Sequence, residues 1–195
     1  MTSTPSRTAL ILLAPGAEEI EFITIPDLLV RAGHRITIAA LTEVPMVRGS
    51  RGLPLAAHTT LDRLTPQEWD LIYLPGGMGS ATACRDDLRV QDLAERQLAA
   101  GRLLAVICAC PIALIPRKLA QGRRITSFPG VRSELESHGA VWIDAPVVQD
   151  GSLITSQSAG TAMALDLTLV GLLGGPDQAR AVAASILSPL PAPLP

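Results

Sequence analysis

A continuous apolar run, Leu103 to Ile107, ends directly on Cys108, and Pro111 follows three residues later. An apolar run this short, bounded by Gly101 and Pro111, reads as a parallel strand buried on both faces of a sheet. Pro111 suits the first turn of a helix, and Ile112–Leu114 supply the start of its apolar face. Cys108 therefore falls at a sharp strand-to-helix turn, at the carboxyl end of a buried strand, where open α/β sheets place their chemistry. The pattern is like a nucleophile elbow without its flanking glycines. A helix N-terminus beside the sulfur would favour the thiolate, which is the nucleophilic form. The alternative is a cysteine that merely fills the core.

The rest of the chain alternates strands and helices. Thr8–Ala14 reads as a buried strand, Glu18 to about Ala32 as a helix stopped by Gly33, and Arg35–Ala40 as a second strand, together a βαβ unit. Val44–His58 reads as a hairpin around Gly49–Gly52, and 59–68 leads into a short helix. Asp70–Leu74 is a third buried strand, closed by Pro75-Gly76-Gly77, whose glycines let backbone N–H groups approach a ligand. Cys84 falls in a polar loop, and Leu88–Ala100 is an amphipathic helix. Arg123–Ser127, Val141–Ile143, Val147–Gln149 and Leu153–Ser156 read as extended, Val131–His138 as a short helix, and Thr161–Leu173 and Pro176–Leu187 as the last helices. The expectation is one α/β domain over residues 1–187, with a doubly wound, mostly parallel sheet sandwiched by helices. A proline-rich segment, 188–195, is expected to be extended and mobile.

Composition narrows the function. The net charge of −2 and the 3% aromatic content offer neither a cationic surface nor stacking platforms for nucleic acid. No apolar run reaches membrane-spanning length without Gly, Pro or charge. Three cysteines without a framework spacing suggest a reducing, cytoplasmic setting. Cys108 and Cys110 with one distant histidine fall short of a four-ligand metal set, so no metal site is expected. Glu18 and Glu19 are explained by the helix dipole. Glu21 is not, because it sits beside Phe22 at the edge of an apolar face.

Six segments together resemble the ThiJ/PfpI superfamily, and within it the Parkinson-associated deglycase branch that includes bacterial YajL-type proteins. They are Leu12–Glu21, Arg48–Gly52, Asp70–Gly77, Ala105–Pro111, Ile125–Pro129 and Leu153–Ala162. The resemblance implies a flavodoxin-like sandwich, a homodimer and no cofactor. It implies that Cys108 is the reactive, oxidation-prone cysteine and that Glu21 is the glutamate held against it, buried and partly protonated. It implies donors to a substrate oxygen at Gly77 and Ala109, with Gly76 beside them, and an approach of Ser50 and Arg51 from across a dimer interface. The implied activity is a glutathione-independent conversion of methylglyoxal-like dicarbonyls, or their early adducts with amines and thiols, to hydroxy acids. The implied alternative is an oxidative-stress sensor or redox-regulated chaperone acting through oxidation of Cys108.

The chain departs from the family pattern at three places. Phe128 stands where animal members carry a histidine near the cysteine, so none is available there as a base. Cys110 replaces a glycine or alanine; it is read as a small buried filler, the sharper reading being a thiol that resolves a Cys108 sulfenate. Ser158-Ala159 replaces Gly-Pro in a late loop beside the pocket. Ala109 follows the cysteine, where the protease-type members place histidine. The late His-x-Glu of the glutamine amidotransferases is absent, since no histidine follows His138.

Overall fold

The computed structural model of the chain describes residues 5–65 and 67–191. Strand β1 (Thr8–Leu13) leads through helix α1 (Glu19–Arg31) to β2 (Arg35–Ala40), and the two strands pair in parallel. A hairpin follows, β3 (Met46–Arg48) against β4 (Pro54–Ala56), and then a short β5 (Thr59–Thr60) on the outer edge of β2. Beyond it lie β6 (Leu71–Leu74), helices α2 (Met78–Asp86) and α3 (Leu88–Ala99), and β7 (Leu103–Ile107). Strands β8 (Arg124–Ile125) and β9 (Val141–Trp142) make a separate pair, with α4 (Arg132–Ser137) between them. The chain closes with β10 (Val147–Asp150), β11 (Leu153–Ser156), α5 (Ala162–Gly174) and α6 (Pro176–Ser185).

The main sheet runs β10-β11-β7-β6-β1-β2-β5, and every pairing is parallel except β10 with β11. The strands lack hydrophobic alternation because both faces are covered. On one face Ile11, Tyr73, Ala105 and Ile154 pack beneath α1, α5 and α6. On the other, Leu10, Ile72, Leu104 and Val106 pack beneath α2 and α3. Burying each such leucine or isoleucine contributes about 1.5–3 kcal/mol, which makes this double layer the main source of stability.

This order creates a switch point. From β1 the chain moves outward to β2, then returns to β6 on the other side of β1. A crevice opens there, outside the carboxyl ends of the strands. Glu21, Gly76 and Cys108 follow β1, β6 and β7, so three segments distant in sequence converge on it.

Two expectations are corrected. Cys84 lies in helix α2 and is fully buried. That helix is hidden in sequence because it buries only Ser80, Ala81 and Cys84, and so carries no large-residue periodicity. The segment after Cys108 is a short 3-10 helix, Cys110–Leu114, and not the first turn of an α-helix. Pro116, which has no N–H to donate and a ring that crowds the preceding turn, fits this early end. His34, in the loop between α1 and β2, is buried, its Nδ1 accepting from Arg7 N–H at 3.3 Å. Of the segment 188–195, Ser188 is tied back by its N–H to Ala183 O at 3.0 Å, while 192–195 lie outside the described residues.

Candidate active site

Cys108 has φ 64°, a left-handed conformation that costs a residue bearing a Cβ about 1–2 kcal/mol. The strain is held by the ladder behind it. Cys108 N–H donates to Ser156 O at 3.0 Å, and Phe128 N–H donates to Cys108 O at 2.8 Å. The result is the elbow anticipated from sequence, with the side chain half-buried and turned out of the sheet.

Glu21 comes to the sulfur from α1. Its backbone N–H donates to Glu18 Oε2 at 2.9 Å, which caps the helix. Its carbonyl accepts from the Tyr73 hydroxyl at 2.9 Å, which fixes this turn of α1 to β6. Its Oε2 accepts from Gly76 N–H at 2.9 Å, while Oε1 has no aligned partner among the described residues. Burial pushes the Glu21 carboxyl up to about 7. Contact with the Cys108 thiol and the Gly76 N–H pulls the other way, and the Glu18 charge adds to the rise. A carboxyl that titrates near neutrality can take and return a proton during a reaction.

Cys108 itself runs against expectation. Burial, reinforced by the Glu21 charge, pushes its thiol up to about 11, although the N–H groups of Gly77 and Ala109 act on the sulfur in the opposite sense. Burial and the Glu21 charge thus oppose ionisation of the thiol, and the 3-10 turn behind it does not supply the dipole of a full helix. Activation falls to Glu21, the carboxylate in contact with it.

Gly76 is the spacer that makes this contact possible. A Cβ on it would lie 2.4 Å from Cys108 Cβ and 2.5 Å from Glu21 Oε2. Its N–H is engaged by Glu21 and so holds the acid in place. Gly77, at φ 88°, starts α2, and a Cβ there would sit 2.1 Å from Gly16 O. The N–H groups of Gly77 and Ala109 converge on the sulfur, as an oxyanion site at this turn requires.

These groups share a cavity of about 580 Å³ with Ser50, Arg51, Met78, Phe128, Ser158 and Ala159. Ser50 and Arg51 line the pocket of their own chain, so no partner is needed to bring them there. Phe128 is 43% exposed on the rim. Cys110 does not reach the cavity; it is fully buried on the other side of the elbow, in contact with Cys84. That position suits a core filler and removes it from the pocket-lining set. Another hollow, about 600 Å³ beside Trp69, is lined by no cysteine among the described residues. Among the described residues no cluster of three or more His, Cys, Asp or Glu could hold a metal ion, and no helix is long and apolar enough to cross a membrane.

Two residues escaped the sequence reading. Glu19 is buried and bonded into the hairpin, whereas its position in a first helical turn had sufficed to explain it. Asp166, in α5, is fully buried and neither carboxyl oxygen has an aligned partner among the described residues. Burial pushes its carboxyl well above the usual range, with the Glu21 charge adding to the rise and Thr24 acting against it. Its signal in sequence was a carboxylate inside an otherwise apolar helix, AMALDLTLVGLLG.

Comparison with known proteins agrees with this geometry. Residues 7–172 match the model of the DJ-1/PfpI family. Protein dj-1beta of Drosophila melanogaster is 38% identical over 93% of this chain and 97% of its own length. Its crystal structure superposes with a TM-score of 0.91, covering 95% of this chain and all of that one. Deglycase PH1704 of Pyrococcus horikoshii is 32% identical over 76% of this chain and 88% of its own length. With the fold, the elbow cysteine and the convergent glutamate in place, the chain belongs to the DJ-1/PfpI family.

Proposed function

We propose that the chain is a cofactor-independent thiol enzyme of glyoxalase or deglycase type. It would convert methylglyoxal-like dicarbonyls, or their early adducts with amines and thiols, to hydroxy acids. The observation that carries this reading is the convergence on one sulfur of a carboxyl titrating near 7 and two backbone N–H donors. The similarity to a deglycase supports it.

The chemistry follows from the positions. As Cys108 Sγ attacks the aldehyde carbon, its proton passes to the Glu21 carboxylate. The N–H groups of Gly77 and Ala109 hold the oxygen on which charge develops. Glu21 returns the proton to that oxygen, giving a hemithioacetal and restoring its carboxylate. Glu21 then removes the C1 hydrogen as a proton and C2 receives one, passing through an enediol to a lactoyl thioester. Water cleaves the thioester, releasing lactate and restoring the thiol. The sum is methylglyoxal plus water to lactate, with no net oxidation and no external electron carrier.

One feature favours a second reading. The donors that would hold a substrate oxygen could equally hold the oxygens of a sulfinate on Cys108, as an oxidative-stress sensor or redox-regulated chaperone would need. Turnover separates the two. With methylglyoxal and no glutathione, the protein is expected to release lactate far beyond one equivalent. Consumption that stops at one equivalent, with peroxide oxidising Cys108, would favour the sensor.

The enzyme is further proposed to be a homodimer. Ile20, Ile23 and Val30 on α1, with Met46 and Leu53 on the hairpin, are each more than half exposed. Large apolar side chains exposed in such number suit a covered face. Sedimentation equilibrium at micromolar concentration is expected to return twice the 20.4 kDa chain mass, and a monomer there would contradict the proposal.

A further inference from the structure

The turn between β3 and β4 is built on a side chain that belongs to α1. Glu19 Oε1 accepts from Arg51 N–H at 2.7 Å and from Leu53 N–H at 3.4 Å, and Oε2 accepts from the Ser50 hydroxyl at 2.9 Å. The turn closes on the carboxylate so tightly that a Cβ on Gly49 would lie 2.4 Å from Oε1. Ser50 N–H also donates to Ala17 O at 2.8 Å, and Gly16 N–H to Arg48 O at 2.8 Å, so the hairpin is stitched to the loop after β1. Burial raises the Glu19 pKa, but the bonds from Arg51, Ser50 and Leu53 outweigh it and hold the carboxyl below its ordinary range. The Arg51 guanidinium makes no ion pair among the described residues, yet Arg51 lines the cavity above Cys108. An exposed arginine would not keep one place over a pocket unless its backbone were fixed.

We propose that Glu19 is a positioning residue: its carboxylate fixes the 49–53 turn so that Arg51 presents its cation to the mouth of the Cys108 pocket, where it draws in oxygen-rich or anionic carbonyl compounds. The inference rests on the reading of this cavity as a substrate site. It concerns how the site is held, not the reaction that follows.

The test uses alkylation of Cys108 by iodoacetate, an anion, and by neutral iodoacetamide, in the intact protein. Cys84 and Cys110 are fully buried, and peptide mass spectrometry confirms which thiol reacts. The ratio of the two rates reads the cation at the pocket mouth without reference to lactate. Arg51→Gln is expected to lower the iodoacetate-to-iodoacetamide ratio about fivefold, the scale of one charge at close range in water. Glu19→Ala is expected to lower it as much, and the double variant no further. Simple removal of the Glu19 negative charge would raise the ratio, so the sign separates positioning from bulk electrostatics. Glu19→Gln should hold the ratio at or above the wild-type value, because its oxygen can still accept from Arg51 and Leu53 while its amide donates to Ser50, and the negative charge is gone. Should Glu19→Ala fail to fold, Glu19→Asp, charged but too short to reach, is expected to show the same loss. An unchanged or raised ratio in Glu19→Ala or Glu19→Asp would overturn the inference, and so would additive losses in the double variant. Absence of lactate from the wild type would refute the proposed reaction and leave the alkylation ratio still decisive for Glu19.

Discussion

Alanine at Gly76 is expected to cut lactate formation from methylglyoxal about a hundredfold or more, a loss typical of reacting groups misplaced by about 1 Å. The new methyl group would meet Cys108 Cβ at 2.4 Å, Glu21 Oε2 at 2.5 Å and Ile107 O at 2.7 Å. Cys108 Cβ and Ile107 O are fixed to the sheet, and Glu21 Oε2, the end of a buried side chain, is held by the Gly76 N–H itself. Relief requires Glu21 to leave the Gly76 N–H or the elbow to swing away, and either separates acid from thiol. Overpacking of this kind also destabilises by about 1–3 kcal/mol. The melting temperature should therefore fall along with kcat. Gly160→Ala is the control, since nothing lies within 4 Å of its Cβ position. Wild-type turnover in Gly76→Ala would show that the close Glu21–Cys108 contact is dispensable.

Glutamine at Glu21 is expected to reduce turnover by about two to four orders of magnitude, the usual contribution of a positioned acid or base, while making the protein more stable at neutral pH. The sign follows from burial. The folded-state pKa lies at about 7, against 4.5 for the ordinary carboxyl. Below pH 4.5 both folded and unfolded chains hold the proton, and stability is unaffected. Between 4.5 and 7 the unfolded chain releases it first, so stability falls as pH rises. Above 7 the loss has reached its full value, about 3 kcal/mol. Glutamine never ionises and escapes this loss. The variant should accordingly melt several degrees higher than wild type at pH 8 and show little difference at pH 4. The acid limb of the wild-type kcat/KM profile, expected near pH 7, should disappear from any residual activity. Equal pH dependence of melting in the two proteins would place the Glu21 pKa elsewhere.

Much of this architecture was legible in the residues. The buried strands announced themselves as unbroken apolar runs, TALILL, LIYL and LLAVI, because a doubly covered sheet removes alternation. The hairpin was marked by its glycines, and the elbow by a strand that ends on cysteine. Helix α2 was not legible, because it is packed with small side chains and carries no periodic signal. The site was legible only by member. Cys108, Glu21, Gly77 and Ala109 line one cavity, but the work of Gly76 depends on two side chains from distant segments meeting over it. Glu19 was hidden by a sufficient local explanation, and its actual partners lie more than thirty residues away. The environment of Cys108 was legible only in part, because local dipole reasoning does not count the carboxylate and the burial that the fold brings to the sulfur.

The central claim is that Cys108 is the nucleophile of a catalytic cycle. Lactate release from methylglyoxal, without glutathione, should be followed for wild type and Cys108→Ser side by side, at equal protein concentration and near pH 8. Serine keeps the size and the elbow but has no thiol to form the hemithioacetal. The account predicts sustained turnover in the wild type and none above the buffer rate in the variant. Equal turnover in the two proteins would contradict it.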